Sequence, residues 1–437
     1  MKKTVLDSEK RFVLLLVLAS FVLYLSWSLI TPFGQAPDEV LRFDIVDFIY
    51  KYRQLPVAGD PRLLYGGYGA TYAAMPFLSY MVSAFFCIFA KAIGIHLPAY
   101  IISRQVSVLS GVITVFFTYK IGAKLFRKSF ARYFLPVFLA FLPQFSFANS
   151  YTNQDSFMMM LSAVTVYLWI RGIETQWDLK TVVLTGVVSG LMLLTYLNGY
   201  VLVVATLLIV LLTHPQKRSP EFFKKLLLCI GILLLISGWF FIRNAYYYHG
   251  DIFGLSTTTK ISETKAAMGY KPSELISKLS IRHGLGGLLV FTNWPSTSFV
   301  SFWADFGNME ITLNPYYYLA IFALMLISFI GLSYRFLQKK REGIASLFSN
   351  KLAITFLFVI FGAFALHVYY SLNCDFQPQG RYLFPAIIPI VILMTKGFEQ
   401  FFSQKRIRLF YKVVAASFIL LDFYTLYLIL FQRYFVL

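Results

Sequence analysis

Apolar runs long enough to cross a lipid bilayer recur along the whole chain of 437 residues. A membrane-spanning helix needs about 20 mostly apolar residues. Eleven runs approach or reach that length, near 12–30, 99–121, 133–150, 155–171, 181–197, 199–213, 224–242, 315–336, 352–371, 382–398 and 413–432. Because 58% of the residues are hydrophobic and only 14% are charged, a soluble domain is excluded. We therefore predict an all-α polytopic membrane protein with about 11 transmembrane helices, built as one domain over 1–437.

The run at 74–95 decides the orientation of the chain. It contains Pro76 and Lys91, and counting it as a span would reverse every later segment. Basic residues cluster at 120–132, 217–225, 335–351 and 396–412, and the positive-inside rule places such clusters in the cytoplasm. That rule is satisfied when 74–95 lies at the membrane surface. We therefore expect an integral protein of the cell membrane, with a cytoplasmic N-terminus and an uncleaved first span.

Two long loops then lie on the outer side, at 31–98 and 243–314. The helix predicted to follow Pro37 alternates apolar with charged residues, which favours a position along the interface. The formal net charge of +19 is explained by the cytoplasmic clusters, so nucleic acid is not an expected partner. Long loops in a compact helical protein usually carry function.

Three carboxylates lie at this outer surface and are candidates for chemistry. Asp38 and Glu39 follow the first span, and Asp155 opens the fourth. Such groups can act as a general base or hold a hard divalent cation through oxygen ligands. Helix capping is the structural alternative for Glu39 and for Asp155.

Three arginines are predicted to reach the same surface, namely Arg104, Arg243 and Arg381. Their planar guanidinium groups suit a phosphate at headgroup depth. For each one singly, the alternative is snorkelling to lipid headgroups. Arginine and carboxylate together at one surface favour a site that handles a phosphorylated lipid.

The chain resembles the GT-C superfamily of integral-membrane glycosyltransferases, in the branch similar to protein O-mannosyltransferases and the lipid A aminoarabinose transferase. The resemblance covers nearly the whole chain. It is carried by Pro37-Asp38-Glu39, Asn153-Gln154-Asp155, Trp239 with Arg243-Asn244 and Gly250-Asp251, and Gln379-Gly380-Arg381-Tyr382-Leu383-Phe384-Pro385. Arg42-Phe43-Asp44 departs from the commonest family pattern, which has His or Tyr after the acidic pair.

The resemblance implies a polyprenyl-phosphate-sugar-dependent hexosyl or pentosyl transferase. Such an enzyme moves a sugar from a polyprenyl-monophosphate carrier to a lipid, glycan or protein acceptor on the outer face of the membrane. Asp38, with Glu39 beside it, is implied as the catalytic general base. Arg104, Arg243, Asn244, Arg381 and Tyr382 are implied to bind the carrier phosphate and substrate, and Asp155 to hold a divalent cation, Mg or Mn, together with Asp38.

Two other functions are compatible with a site at the outer surface of the membrane. A transporter or flippase of lipid-linked glycans would show broken spans or midplane charges in paired halves. Here the charges gather at one surface, which favours an enzyme. A glycan polymerase would use a diphosphate donor, so donor preference separates it from a monophosphate-dependent transferase.

Overall fold

The computed structural model describes residues 2–215, 219–274, 284–340, 351–374 and 376–436. Several sequence features lie outside these ranges. They include Lys217, Arg218 and Arg341 of the predicted cytoplasmic clusters and residues 275–283 of the second long loop.

The described part of the chain is almost entirely helical. The helices are α1 (Lys2–Ile30), α2 (Glu39–Tyr52), α3 (Leu78–Ala92), α4 (Ala99–Leu125), α5 (Ala131–Ala140), α6 (Pro143–Ala148), α7 (Asp155–Thr175), α8 (Leu179–Leu193), α9 (Tyr200–Thr213), α10 (Pro220–Tyr247) and α11 (Leu255–Lys265). Further helices are Gly284–Val290, Trp294–Trp303, Pro315–Lys340, Lys351–Asn373, Ile387–Phe401, Gln404–Tyr424 and Phe431–Phe435. Short 3₁₀ segments span Leu197–Gly199 and Gly380–Ala386, and a π-helical segment spans Thr425–Leu430.

Eight of the described helices are long and apolar enough to cross a membrane. They contain eight of the predicted runs: Asp7–Ile30, Ala99–Leu125, Asp155–Thr175, Pro220–Tyr247, Pro315–Tyr334, Lys351–Asn373, Gly380–Phe401 and Lys405–Phe435. The all-α polytopic class is thus confirmed.

The other three predicted spans form shorter helices. The run 133–150 is divided between α5 and α6, because Pro143 begins a new helix. The remaining two runs correspond to α8 and α9, of 15 and 14 residues. The count of eleven spans therefore stays a prediction. The ambiguous run 74–95 contains α3, also only 15 residues long.

A buried polar cluster ties the two ends of the chain together inside the bundle. The Trp27 indole N–H donates to Asp422 Oδ1 at 2.9 Å, and the Ser146 hydroxyl donates to Asp422 Oδ2 at 2.5 Å. Asp422 is fully buried, and both of its oxygens accept a hydrogen bond. Such satisfied buried networks favour one helix arrangement over its alternatives.

The second long loop folds back onto the first. Asp305–Phe306 and Ile311–Thr312 form an antiparallel hairpin in which Asp305 pairs with Thr312. The Asn308 side-chain amide donates to the Gly34 carbonyl at 3.2 Å. The hairpin thus covers the segment that leads from α1 to Asp38.

Candidate active site

The backbone conformation at Asp38 places the adjacent carboxylates of Asp38 and Glu39 in different environments. Helix α2 begins at Glu39, and Asp38 precedes it in a left-handed conformation with φ 60° and ψ 9°. The Asp38 side chain makes no capping hydrogen bond. It remains 35% exposed, whereas the Glu39 side chain is fully buried. Left-handed non-glycine residues are strained and concentrate at functional sites.

Asp38 is paired with two arginines from distant parts of the chain. Arg381 donates from Nη2 to Asp38 Oδ2 at 2.6 Å, and Arg42 Nη2 lies 3.6 Å from the same oxygen. Burial raises the pKa of Asp38, but the charges of Arg381 and Arg42, with hydrogen bonds from Arg381 and Tyr72, outweigh it and lower the pKa to about 2. The carboxylate is therefore ionised at physiological pH.

Asp155 is brought to the same cluster. Arg42 Nη1 donates to Asp155 Oδ2 at 3.2 Å, and both side chains are buried. Asp155 Oδ1 has no hydrogen-bond partner among the described residues. The capping bond expected of Asp155 is made by Asn153, whose Oδ1 accepts from the Ser156 N–H at 2.8 Å. Asp155 thus faces the site with one oxygen available.

Arg381 has spare hydrogen-bonding capacity. Its Nε and Nη1 atoms are buried, and neither donates to any group in the described part of the chain. The guanidinium lies 5.9 Å from the Tyr382 ring centroid, and that ring stacks against His367 and Tyr370. Unsatisfied buried donors cost free energy unless a ligand accepts from them. The arrangement suits an anion beside Asp38.

Glu39 and Arg104 form a closed structural clamp. Arg104 donates from Nε and Nη2 to the two Glu39 oxygens, each at 2.7 Å. Its other N–H groups donate to carbonyl oxygens at the end of α1, those of Ser28, Thr31 and Pro32. A guanidinium has five N–H donors, and all five are used here. These contacts favour a positioning role for both residues over the predicted catalytic and phosphate-binding roles.

Arg243 and Asn244 organise the first long loop. Arg243 donates to the Pro56 carbonyl and, at 3.2 Å, to Asn244 Oδ1. The Asn244 side-chain amide donates to the Ala74 carbonyl at 3.1 Å. None of the described contacts joins either residue to Asp38, and the Asn244 contact fixes the loop two residues after Tyr72.

The structure therefore brings together Asp38, Asp155, Arg381 and Tyr382 from the predicted set. It adds Arg42 and Tyr72, which the sequence reasoning missed as site residues. The spacing in the sequence could have identified Arg42 as a site residue, because it lies four residues after Asp38, about one helical turn away. No sequence pattern identified Tyr72, since it lies in an irregular segment. In the described part of the chain, no three or more His, Cys, Asp or Glu side chains form a metal-binding group.

An apolar cavity lies beside the 3₁₀ segment Gly380–Ala386, which contributes Leu383 to its wall. It has a volume of about 510 Å³ and lies among the helices Trp294–Trp303, Pro315–Lys340, Lys351–Asn373 and Ile387–Phe401. Phe302 and Leu383 are part of its wall, and Leu383 is two residues from Arg381.

Comparisons with known proteins agree with this architecture. The family model for dolichyl-phosphate-mannose-protein mannosyltransferases matches residues 73–241. The structure of ArnT from Cupriavidus metallidurans bound to undecaprenyl phosphate is similar, with a TM-score of 0.51 and 14% identity over 96% of this chain and 73% of that one. The family model covers less than half of this chain, and at 14% identity the structural match shows a shared fold.

Both matches are to proteins of the kind that the sequence motifs resemble, namely ArnT and the protein mannosyltransferases. The apo structure of the same ArnT aligns with a TM-score of 0.46 and 14% identity, over 94% of this chain and 64% of that one. No curated protein matches the chain in sequence. The resemblance to the GT-C superfamily that the short motifs indicated agrees with the family model and with the structure of ArnT bound to undecaprenyl phosphate.

Proposed function

We propose that this protein transfers a sugar from a polyprenyl-monophosphate carrier to an acceptor at the outer face of the cell membrane. The observation that carries the proposal is the pairing of Asp38 with Arg381, which still has unpartnered donors and lies two residues from Leu383 in the wall of an apolar cavity. A carboxylate, a phosphate-binding cation and a lipid-sized apolar surface are the three parts that such a reaction needs.

Asp38 is the proposed general base. Of the three carboxylates, it alone is substantially exposed, while Glu39 and Asp155 are buried in ion pairs. It would take the proton from the acceptor hydroxyl or amine as that group attacks the anomeric carbon. Single displacement then inverts the anomeric configuration.

Arg381 is the proposed phosphate ligand. Its free Nε and Nη1 donors can bind the phosphate oxygens and stabilise the departing polyprenyl phosphate. A phosphate that shares the guanidinium would weaken its pairing with Asp38 and raise the pKa of that carboxyl. Donor binding would thus strengthen the base. Tyr382 would hold the guanidinium in place, and Asp155 Oδ1 could accept from a sugar hydroxyl.

The apolar cavity is the proposed place of the first isoprene units. Its wall includes Phe302, Trp303, Leu383 and Met394, and Leu383 is two residues from Arg381. Such an apolar wall suits the isoprene units of a carrier whose phosphate lies at Arg381.

The test uses the purified full chain in lipid nanodiscs. It measures release of polyprenyl phosphate from undecaprenyl-phosphate sugars, including mannose and aminoarabinose, with cell-envelope extract as the acceptor. Asp38→Asn keeps the shape of the side chain but removes the base, and we expect release to fall on the order of 1,000-fold or more.

Asp47→Asn is the matched control. Asp47 lies on the same helix and pairs with exposed Lys51, so the same change there should leave release within about twofold of wild type. Full activity of Asp38→Asn would refute the base assignment. If folded wild-type protein releases no carrier phosphate from any donor, glycan transport or a diphosphate-dependent reaction becomes the better interpretation.

A further inference from the structure

A guanidinium lies where the sequence led us to expect a divalent cation. Arg42 approaches Asp155 Oδ2 at 3.2 Å with Nη1 and Asp38 Oδ2 at 3.6 Å with Nη2. The Arg42 side chain is only 1% exposed, and its guanidinium carbon lies 5.4 Å from the Tyr72 ring centroid. The two carboxylates predicted to share a metal thus share an arginine.

The residues present do not fit a divalent cation between Asp38 and Asp155. Mg²⁺ takes about six oxygen ligands in near-octahedral geometry. Both candidate carboxylates already contact Arg42, and no further His, Cys, Asp or Glu among the described residues joins them into a metal-binding group. A cation ligated by either oxygen would lie within a few ångströms of the guanidinium, where like charges repel.

The charges of the cluster also balance without an added ion. Asp38 and Asp155 supply two negative charges, and Arg42 and Arg381 supply two positive ones. A donor phosphodiester would add one negative charge, which Arg381 can meet with its free donors. An added divalent ion would instead give the cluster a net positive charge before the donor binds.

We propose that Arg42 serves as a built-in cation that positions Asp38 and Asp155, so that sugar transfer by this protein needs no divalent metal. This inference rests on the proposed function. Arg42 is a positioning residue, because it acts on the base through the ion pair. It lies one helical turn after Asp38, so the cation is attached to the same element as the base.

A substitution of Arg42 changes the electrostatic surroundings of a small set of neighbouring groups. The titratable and charged groups that face Arg42 are Asp38, Asp155, Tyr72, Tyr80 and Tyr151, and Asp38 is also faced by Arg381. Removal of the Arg42 charge takes away one of the two cations that lower the pKa of Asp38. The acid limb of the pH profile of kcat/KM should therefore move to higher pH.

The experiment measures release of carrier phosphate in the same nanodiscs with EDTA, and then with added Mg²⁺ or Mn²⁺. Wild-type release should change by less than about twofold under both treatments. In Arg42→Ala, release of carrier phosphate should fall on the order of 100-fold, and the acid limb of the pH profile should move to higher pH. Arg42→Lys keeps the positive charge and should therefore retain part of the wild-type rate. Arg53→Ala, an exposed change at the other end of α2, should match wild type.

Each contrary result has a distinct meaning. Loss of wild-type release in EDTA, with recovery in Mg²⁺ or Mn²⁺, would overturn the inference and leave the proposed transferase intact. Full activity of Arg42→Ala, or an unchanged acid limb in Arg42→Ala, would also overturn it. No release by wild type under any condition would refute the proposed function itself.

Discussion

Two neighbouring residues with the same functional group have opposite surroundings in this protein. Asp38 is partly exposed and faces Arg381, while Glu39 is fully buried and closed by Arg104. The difference follows from the left-handed backbone at Asp38, after which α2 begins. A short motif with two acids therefore contains one candidate catalytic group and one structural group.

The Glu39–Arg104 clamp makes a prediction at this scale. Arg104→Met should lower the free energy of unfolding by about 3 to 5 kcal/mol, because it leaves a buried carboxylate without its partner. The double variant Arg104→Met with Glu39→Gln should recover much of that loss, since the unpaired charge is gone. Thermal unfolding in detergent would measure both.

The same variant also tests the role implied by the family resemblance. If Arg104 binds the carrier phosphate, Arg104→Met should stay stable and raise KM for the donor instead. A stable protein with weakened donor binding would contradict the clamp.

At the scale of elements, small residues decide how closely the later helices approach. A Cβ added to Gly397 would overlap the carbonyl oxygen of Ser328 in the neighbouring helix Pro315–Lys340. Gly331 on that helix is equally crowded by the Gly397 carbonyl. Close backbone contact at small residues is a common source of helix association in membranes.

We therefore expect Gly397→Ala to lower the thermal midpoint and to reduce release of carrier phosphate, because the helix that follows Arg381 must move. Gly238→Ala is the control, since no atom lies within 4 Å of a Cβ added there. Equal midpoints for the two variants would show that this contact does not hold the helix pair.

At the scale of the whole molecule, not every helix of the bundle is long enough to cross a bilayer alone. Helix α8 has 15 residues, or ~22 Å at about 1.5 Å per residue, which is less than the ~30 Å of a bilayer core. The segment after it contacts the start of α3, where the Leu194 carbonyl accepts from the Leu78 N–H at 2.8 Å.

Under the proposed function, the apolar cavity predicts a dependence on the length of the carrier. Met325→Trp should narrow the apolar cavity and reduce turnover of undecaprenyl donors by about tenfold, while a donor with two or three isoprene units is affected less. Phe322→Trp, on the exposed face of the same helix, should have little effect. Equal losses with long and short carriers would contradict a lipid role for this cavity.

The sequence determined the class of fold and the location of the site in the chain. Apolar run length depends only on local composition, so the eight long spans were predictable. Asp38, Asp155 and Arg381 were identified because they lie in short motifs beside predicted spans. Helix length was less predictable where Pro143 divides a run or where a span is shortened to 15 or 14 residues, as in α8 and α9.

Only the tertiary structure decided which charge pairs with which. Asp38 and Arg381 are 343 residues apart, and no local pattern reports that they meet. The same holds for Arg104, which pairs with Glu39, and for Arg42, which lies between two carboxylates. Buried ion pairing depends on distance and desolvation in three dimensions. Residue type and spacing therefore identify the candidate residues, and the packing of the fold determines which of them form ion pairs.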